Sequence, residues 1–330
     1  MTDAQRTTST AEQVWTVRRL LAWVTEAFTK RGLDSPKLSG EILLSHVLKI
    51  ERLRLYIEAD RELAKGELDA LRGLVARALK DEPVQYLTGE GWFFGLPLAV
   101  DRRVLVPRPC TEMMVEGVLQ GVRGRESEKR KAKSENSEGV AEADALTKGG
   151  FRGGMPRGEG VRVLDLCTGS GCVAVALAKN LPGATVIATD VSVEALEVAR
   201  SNAARHGVAV EFRQGDLFDA LRGDERGTFD FIVSNPPYIP DVEWAEVPAN
   251  VKNHEPELAL RGGLDGFSLV RPILQQGAEW LKPEGVLMVE TAASGAQDAL
   301  KIAEDADRYA DGRVVKDLEG LDRFVLVTAR

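Results

Sequence analysis

The loop Ser234-Asn235-Pro236-Pro237-Tyr238 follows the apolar run 229–233 and carries residue types suited to chemistry on a planar amine. Two consecutive prolines fix two φ angles and remove two backbone donors, so the loop is held rigidly. The side-chain oxygen of Asn235 and the carbonyl of Pro236 can both accept from one NH2 group, whose face the ring of Tyr238 can cover. Asn235, Pro236 and Tyr238 are therefore the predicted catalytic residues, and Pro237 completes the predicted substrate-binding loop. The same residues are also typical of a stiff turn.

A glycine-containing loop earlier in the chain is the predicted cofactor site. It joins the apolar run 161–166 to a helix that begins near Gly171, and its glycines permit a tight turn and close approach of a ligand. The next predicted strand ends at Asp190, whose carboxylate suits ribose hydroxyls. The same spacing is also the fingerprint of dinucleotide-binding proteins. The predicted cofactor-binding residues of this loop are Asp165, Cys167, Thr168, Gly169, Ser170 and Gly171.

Three features favour S-adenosyl-L-methionine over a dinucleotide. Asp165 suits the cationic amino acid end of adenosylmethionine and would repel a pyrophosphate. Asp216, just beyond the third predicted strand, could accept from the adenine amine while Leu217 lies against the ring. The fourth strand then brings Asn235 to where the sulfonium methyl should point, so Asn235 is also a predicted cofactor-binding residue. A nitrogen held in line gains up to about 7–11 kcal/mol from positioning alone. Either acid taken singly could be a cap or turn residue, but their succession predicts a class I methyltransferase.

The elements that position these loops follow an alternating α/β pattern over the second half of the chain. Helices are predicted between the strands, among them 193–206 and 269–281. Such alternation is typical of a doubly wound sheet, in which ligands bind at the carboxyl ends of the strands. The fold class is thus α/β with a Rossmann-like, seven-stranded sheet. The predicted strands are 161–166, 185–189, 209–212, 229–233, 286–289, 314–315 and 324–327.

The first part of the chain has a different pattern. Apolar residues recur at helical spacing over 14–82, which predicts a small helical bundle. We interpret residues 1–85 as a substrate-recognition domain, 86–110 as a β-hairpin linker and 111–330 as the methyltransferase domain. The segment 123–160 is rich in mixed charge and poor in apolar residues, so we expect a disordered insertion. Its basic run 129–131 could contact RNA or could simply be solvated.

Composition narrows the classes of partner. The net charge of −8 and a pI near 5.2 argue against binding nucleic acid mainly by charge. The polar N-terminus and the lack of a long apolar run predict a cytoplasmic protein without membrane contact. Cys110, Cys167 and Cys172 form no CxxC motif and the three histidines are scattered, so no metal site is expected.

Five motifs distributed over nearly the whole chain resemble the protein-(glutamine-N5) methyltransferases that modify peptide-chain release factors. The resemblance implies methylation of the side-chain amide in the Gly-Gly-Gln motif of class 1 release factors. It also implies that 167–171 and Asp190 contact the cofactor and that 235–238 hold the glutamine amide. Two residues depart from the family pattern, Cys110 where an acid is usual and Cys167 where glycine is usual. The motifs are Pro83-Val-Gln-Tyr-Leu-Thr-Gly89, Val104-Leu-Val-Pro-Arg-Pro109, Asp165-Leu-Cys-Thr-Gly-Ser-Gly171, Asn235-Pro-Pro-Tyr238 and His254-Glu-Pro-Glu-Leu-Ala-Leu260.

Several alternatives stay open at this point. The sister enzymes that methylate a glutamine of a large-subunit ribosomal protein share the chemistry and differ in substrate. A DNA adenine-N6 methyltransferase could use the same loop on a flipped base, but it would need basic clusters that grip phosphates. An NAD-dependent oxidoreductase would need a proton-transfer partner, and this sequence has no histidine or lysine near the predicted pocket. A non-enzymatic adenosylmethionine-binding module would leave the loop at Asn235 without a purpose.

Overall fold

The computed structural model describes residues 14–135 and 158–330. The chain divides into two compact units, Met1–Thr88 and Gly89–Arg330. Within the described residues, no helix is both long and apolar enough to cross a membrane.

The first unit is helical, as the apolar spacing predicts. In α1, the buried residues Val17, Leu20, Val24 and Phe28 share one face. The helix ends at Gly32, whose left-handed φ of 79° lets its N–H donate to the carbonyls of Phe28 and Thr29. The α1 face packs into a core with the buried leucines of the following helices. The helices of this unit are α1 Val17–Arg31, α2 Pro36–Leu48, α3 Arg52–Ile57, α4 Lys65–Ala78 and α5 Val84–Thr88.

The second unit begins with the predicted hairpin. Strands β1 Glu90–Phe93 and β2 Leu96–Ala99 pair antiparallel and are joined by Phe94 and Gly95. Both turn residues have positive φ, 50° and 75°, which matches the twist of the flanking strands.

A seven-stranded sheet forms the centre of the second unit and confirms the predicted fold class. Its order is β5-β4-β3-β6-β7-β9-β8. The first five strands in this order run parallel, and β9 is antiparallel to both of its neighbours. From β3 the chain adds β4 and β5 on one side and then β6 and β7 on the other. This switch in strand order places a crevice beyond the carboxyl ends of β3, β4 and β6. The strands are β3 Arg162–Leu166, β4 Thr185–Asp190, β5 Glu211–Gln214, β6 Phe229–Ser234, β7 Leu281–Glu290, β8 Tyr309–Lys316 and β9 Asp322–Ala329.

Helices cover both faces of the sheet because successive side chains of each strand point to opposite sides. Val163 of β3 packs in one apolar core with the first three helices of this unit. Leu164 and Leu166 pack in a second core with the last two helices. The helices of this unit are α6 Glu112–Glu135, α7 Cys172–Asn180, α8 Val193–His206, α9 Ala249–Lys252, α10 Val270–Gln276 and α11 Ala296–Asp305.

Two sequence-based boundaries were wrong. The helix predicted over 269–281 ends at Gln276, and β7 begins at Leu281 rather than at residue 286. A 3-10 helix, Gly277–Glu279, continues from α10, and the backbone pairing of Leu281 with Phe229 then starts the strand early.

The predicted disordered insertion at 123–160 was wrong in its first part, since α6 continues to Glu135. One face of this helix still packs, because Val122 is buried and Arg125 donates to Asp230 at 3.1 Å. The Arg125 guanidinium also lies 4.7 Å from the centre of the Phe231 ring. At the other end of that prediction, residues 158–160 are described, and the Gly158 N–H donates to the Pro182 carbonyl at 2.9 Å. The part between them, 136–157, lies outside the described residues.

Candidate functional site

A cavity of about 390 Å³ opens at the carboxyl edge of the sheet, beside the ends of β3, β4 and β6. Its size lies within the range of small-molecule sites. Gly171, Pro236 and Tyr238 are the predicted site residues that do not line it. Tyr238 instead lines a neighbouring cavity of about 210 Å³. The predicted residues that line the larger cavity are Asp165, Cys167, Thr168, Gly169, Ser170, Asp190, Asp216, Leu217, Asn235 and Pro237.

Backbone hydrogen bonds hold the glycine loop against the end of β4. The N–H of Gly169 donates to Oδ2 of Asp190 at 2.8 Å, and the N–H of Ser192 donates to Oδ1 at 2.9 Å. Each carboxylate oxygen keeps a further lone pair for a ligand hydroxyl. Gly171 is required by close packing, since a Cβ there would lie 2.9 Å from the Cβ of Ala199 in α8.

Cys167 lies in the left-handed region, with φ of 59°. Side chains with a Cβ adopt this conformation at a cost, which explains why glycine would suit this position. Burial raises the pKa of the Cys167 thiol, that of Cys110 to about 11 and that of Cys172 to about 12. At neutral pH the three thiols are therefore protonated and are poor nucleophiles.

Acidic residues outnumber basic ones on the cavity wall. The arginine side chains there are partly neutralised, because Arg103 pairs with Asp101 at 2.7 Å and Arg108 pairs with Glu255. Burial raises the pKa of Asp165 to about 7, although the Thr168 hydroxyl donates to it at 2.6 Å. This charge balance suits a cationic ligand. The acidic lining residues are Asp165, Asp190, Glu194, Asp216 and Glu257, and the basic ones are Arg102, Arg103 and Arg108.

The loop after β6 is fastened at both ends. The hydroxyl of buried Ser234 donates to the Leu166 carbonyl at 2.9 Å, which fixes the end of β6 to β3. Beyond the loop, Ile239 and Leu260 are joined by a backbone hydrogen bond of 2.9 Å. Between these anchors, Nδ2 of Asn235 donates to Oγ1 of Thr111 at 3.2 Å. Within 14–135 and 158–330 the side-chain oxygen of Asn235 has no hydrogen-bond donor, so it is available as an acceptor.

Sequence reasoning missed the residues that support this loop. The Thr111 hydroxyl donates to Oε2 of Glu290 at 2.7 Å, and the Tyr238 hydroxyl donates to Oε1 at 3.3 Å. Burial raises the pKa of Tyr238, so its hydroxyl stays protonated. Glu290 could have been noticed as an acid that directly follows the apolar run 286–289, but its partners are distant in sequence.

An ion pair between Glu255 and Arg108 borders the cavity on the side of residues 254–260. The Glu255 carboxylate is buried and accepts from the N–H of Val106 at 3.0 Å and from the guanidinium of Arg108. The four residues that follow, 256–259, line the cavity. Glu255 thereby holds one wall of the cavity to the segment after the hairpin.

No group of three or more His, Cys, Asp or Glu side chains is arranged to hold a metal ion within 14–135 and 158–330.

Comparisons with known proteins agree with this architecture. The PrmC N-terminal domain profile matches residues 19–89, and a methyltransferase domain profile matches residues 157–321. The fold and the site thus define a class I, Rossmann-like methyltransferase. A release factor glutamine methyltransferase from Chlorobaculum tepidum is 39% identical, with 94% of this chain and 97% of the relative aligned. One from Geobacter sulfurreducens is 38% identical, with 95% and 96% aligned. This chain belongs to the release factor glutamine methyltransferase family, which confirms the resemblance seen in its motifs.

Proposed function

We propose that this protein transfers a methyl group from S-adenosyl-L-methionine to N5 of the glutamine side chain in the Gly-Gly-Gln motif of class 1 peptide-chain release factors. The observation that carries the proposal is the orientation of Asn235, whose Nδ2 is engaged by Thr111 at 3.2 Å. Its Oδ1 is therefore available to accept from a substrate NH2 group. Family membership and the relatives' names support glutamine as the source of that group.

The cavity residues fit adenosylmethionine by their chemistry. Asp190 keeps acceptor capacity for the ribose hydroxyls, and Asp165 together with the acidic wall would balance the cationic ligand. Asp216 and Leu217 would contact the adenine. When bound, adenosylmethionine supplies an electrophilic methyl group on a positively charged sulfur.

The loop residues would act by positioning. An amide nitrogen is a poor nucleophile because its lone pair is delocalised into the carbonyl. Hydrogen bonds from its two hydrogens to Oδ1 of Asn235 and to the Pro236 carbonyl would direct the developing nitrogen density toward the methyl group. The new N–C bond forms as the S–C bond breaks, and the surplus amide proton leaves to solvent afterwards. Tyr238, three residues after Asn235 in the same loop, would cover the face of the amide.

Two alternative substrates would undergo the same methyl transfer. A glutamine of a large-subunit ribosomal protein offers the same NH2 group, and an adenine N6 amine also fits the loop. The five acidic residues of the cavity wall disfavour a phosphate-rich substrate.

Tandem mass spectrometry would test the proposal on a purified release factor and a purified large-subunit ribosomal protein, each incubated with the enzyme and adenosylmethionine. We expect one added methyl on the Gly-Gly-Gln glutamine. Asn235→Ala should lower kcat by about 10²-fold or more, in line with removal of one transition-state hydrogen bond. Its Kd for adenosylmethionine should change by less than about threefold.

Asn180→Ala is the matched control, because Asn180 ends α7 and donates only to the Ala176 carbonyl at 2.9 Å. It should retain wild-type turnover. Methylation of the ribosomal protein alone would transfer the assignment to the sister enzymes, and an unmodified glutamine in both proteins would overturn the proposal.

A further inference from the structure

Glu290 is a fully buried carboxylate at the end of β7, next to the end of β6. A buried charge needs hydrogen-bond donors to offset its desolvation. Here the donors are hydroxyl and thiol groups, namely Thr111 at 2.7 Å, Tyr238 at 3.3 Å and Cys110 at 3.7 Å. Burial raises the pKa of Glu290, whereas the hydrogen bond from Thr111 and the charge of Arg323 act in the opposite direction and favour the ionised carboxylate. Arg323 is itself paired with Asp317 at 3.1 Å. Glu290 thus contacts both the loop of Tyr238 and the turn that precedes α6.

The direction of these hydrogen bonds follows from the chemistry of a carboxylate. An ionised carboxylate can only accept, so the single hydroxyl proton of Thr111 must point to Glu290. The Thr111 oxygen can then only accept from its other neighbour, Asn235. The atom of Asn235 that faces Thr111 at 3.2 Å must therefore be Nδ2. The two ends of an asparagine amide are alike in shape, and this chain of hydrogen bonds is what distinguishes them.

We propose that Glu290 and Thr111 are positioning residues that fix the orientation of the Asn235 amide, so that Oδ1 faces the nitrogen to be methylated. The inference rests on the proposed function, because it assumes that Asn235 accepts from a substrate NH2 group. A flipped Asn235 would present its own NH2 group to the substrate NH2 group, and neither could accept. Glu290 also holds the Tyr238 hydroxyl, so one buried carboxylate sets both sides of the substrate loop.

Steady-state kinetics of Thr111→Val and Thr111→Ser would test this inference on the full-length enzyme with the substrate that the wild-type protein methylates. Valine is nearly the same size as threonine but lacks the hydroxyl. We expect Thr111→Val to lower kcat by about 10- to 100-fold while KM for adenosylmethionine changes by less than about threefold. Thr111→Ser restores the hydroxyl and should return kcat to within about threefold of wild type. Thr228→Val is the matched control, since its hydroxyl donates to the Glu225 carbonyl before β6 begins.

A second pair of variants separates positioning from packing. Glu290→Gln can donate to Thr111, whose hydroxyl is then free to donate to Oδ1 of Asn235 and so stabilise the flipped amide. We expect its kcat to fall although the shape of the side chain is retained. In the Asn235→Ala background, Thr111→Val should cause no further loss, because interacting residues are not additive.

The outcomes separate a failure of the positioning role from a failure of the proposed function. Wild-type kcat in Thr111→Val and in Glu290→Gln, or the same loss from Thr111→Val with and without Asn235, would overturn the positioning role. Both results require a wild-type enzyme that methylates glutamine, whereas an inactive wild-type enzyme would overturn the proposed function itself.

Discussion

Two residues of the glycine loop have unusual properties, a strained backbone conformation in one and a raised pKa in the other. Cys167 occupies a left-handed conformation that glycine adopts freely, and Asp165 is a buried acid with a pKa of about 7. Both residues border the cavity, so each property should be measurable in stability or in ligand binding.

Replacement of Cys167 should reveal the local strain. A residue with a Cβ pays about 1–2 kcal/mol in this region, whereas glycine adds about 0.5–1 kcal/mol of unfolded-state entropy. We therefore expect Cys167→Gly to leave the free energy of unfolding within about 1 kcal/mol of wild type. The β-branched Cys167→Val should lower it by about 2 kcal/mol or more. Urea unfolding measures the free energy of unfolding of both variants. Equal values would show that residue 167 is not strained.

Adenosylmethionine binding should weaken as the pH falls through 7. The pKa of Asp165 is raised to about 7 by burial, so the carboxyl is ionised above that pH and neutral below it. Only the ionised form attracts a cationic ligand, which means that Kd should rise by up to about fivefold from pH 7 to pH 6. Isothermal titration calorimetry measures this change.

Asp165→Asn is the control for that pH dependence. It should bind more weakly at pH 8 and show a flatter profile. The Asp190 carboxyl, whose pKa is also raised by burial, remains in this variant. An unchanged slope in Asp165→Asn would assign the pH dependence to another group.

Among the elements, α8 connects the hairpin to the glycine loop through one buried side chain. Oδ1 of Asn202 accepts from the Ala99 N–H at 2.7 Å, while Nδ2 donates to the carbonyls of Ala99 and Ser170 at 3.0 and 2.9 Å. The same helix approaches Gly171 so closely that no side chain fits there. The position of the cofactor loop therefore depends on α8 as well as on β3.

Loss of this contact should affect both stability and cofactor affinity. Asn202→Ala removes the side-chain partner of three backbone groups, two of them on partly buried Ala99 and one on buried Ser170. A buried group left unpaired costs about 1–3 kcal/mol if water does not replace the partner. We expect a lower unfolding temperature and a several-fold higher Kd for adenosylmethionine. Asn180→Ala, which also removes an asparagine amide but lies away from the cavity, should change neither. Wild-type affinity in Asn202→Ala would show that the loop holds its shape without α8.

At the scale of the whole molecule, the cavity belongs to one of the two units. The residues that line the cavity fall between 102 and 269, all in the second unit. The first unit has its own apolar core. Its role in recognising the protein substrate stays a prediction.

Removal of residues 1–88 tests that division. We expect the remaining protein to bind adenosylmethionine with a Kd within about threefold of the full chain, because the cavity is intact. Methylation of the release factor should slow by at least about tenfold. Circular dichroism verifies folding, and equal methylation rates would remove any role of the first unit in substrate recognition.

The sequence by itself determined the elements and the two loops that carry the chemistry. Local patterns were sufficient there, because burial on a sheet or a helix imposes its own periodicity, and because glycine and proline act on the backbone where they stand. The seven strands, the hairpin and the helical first unit were predicted in this way. Element ends were less certain, as the extension of α6 beyond residue 123 shows, since the packing of Arg125 on Phe231 depends on a distant strand.

Only the tertiary structure decided how the predicted catalytic loop is held. Thr111 lies 124 residues from Asn235 and 179 from Glu290, so no local pattern links the three. They meet because β6 and β7 are neighbours in the sheet and the turn before α6 packs across their ends. Hydrogen-bond direction depends on such contacts in space, and that is why the sequence predicted which residue would face a substrate but not which end of its amide would do so.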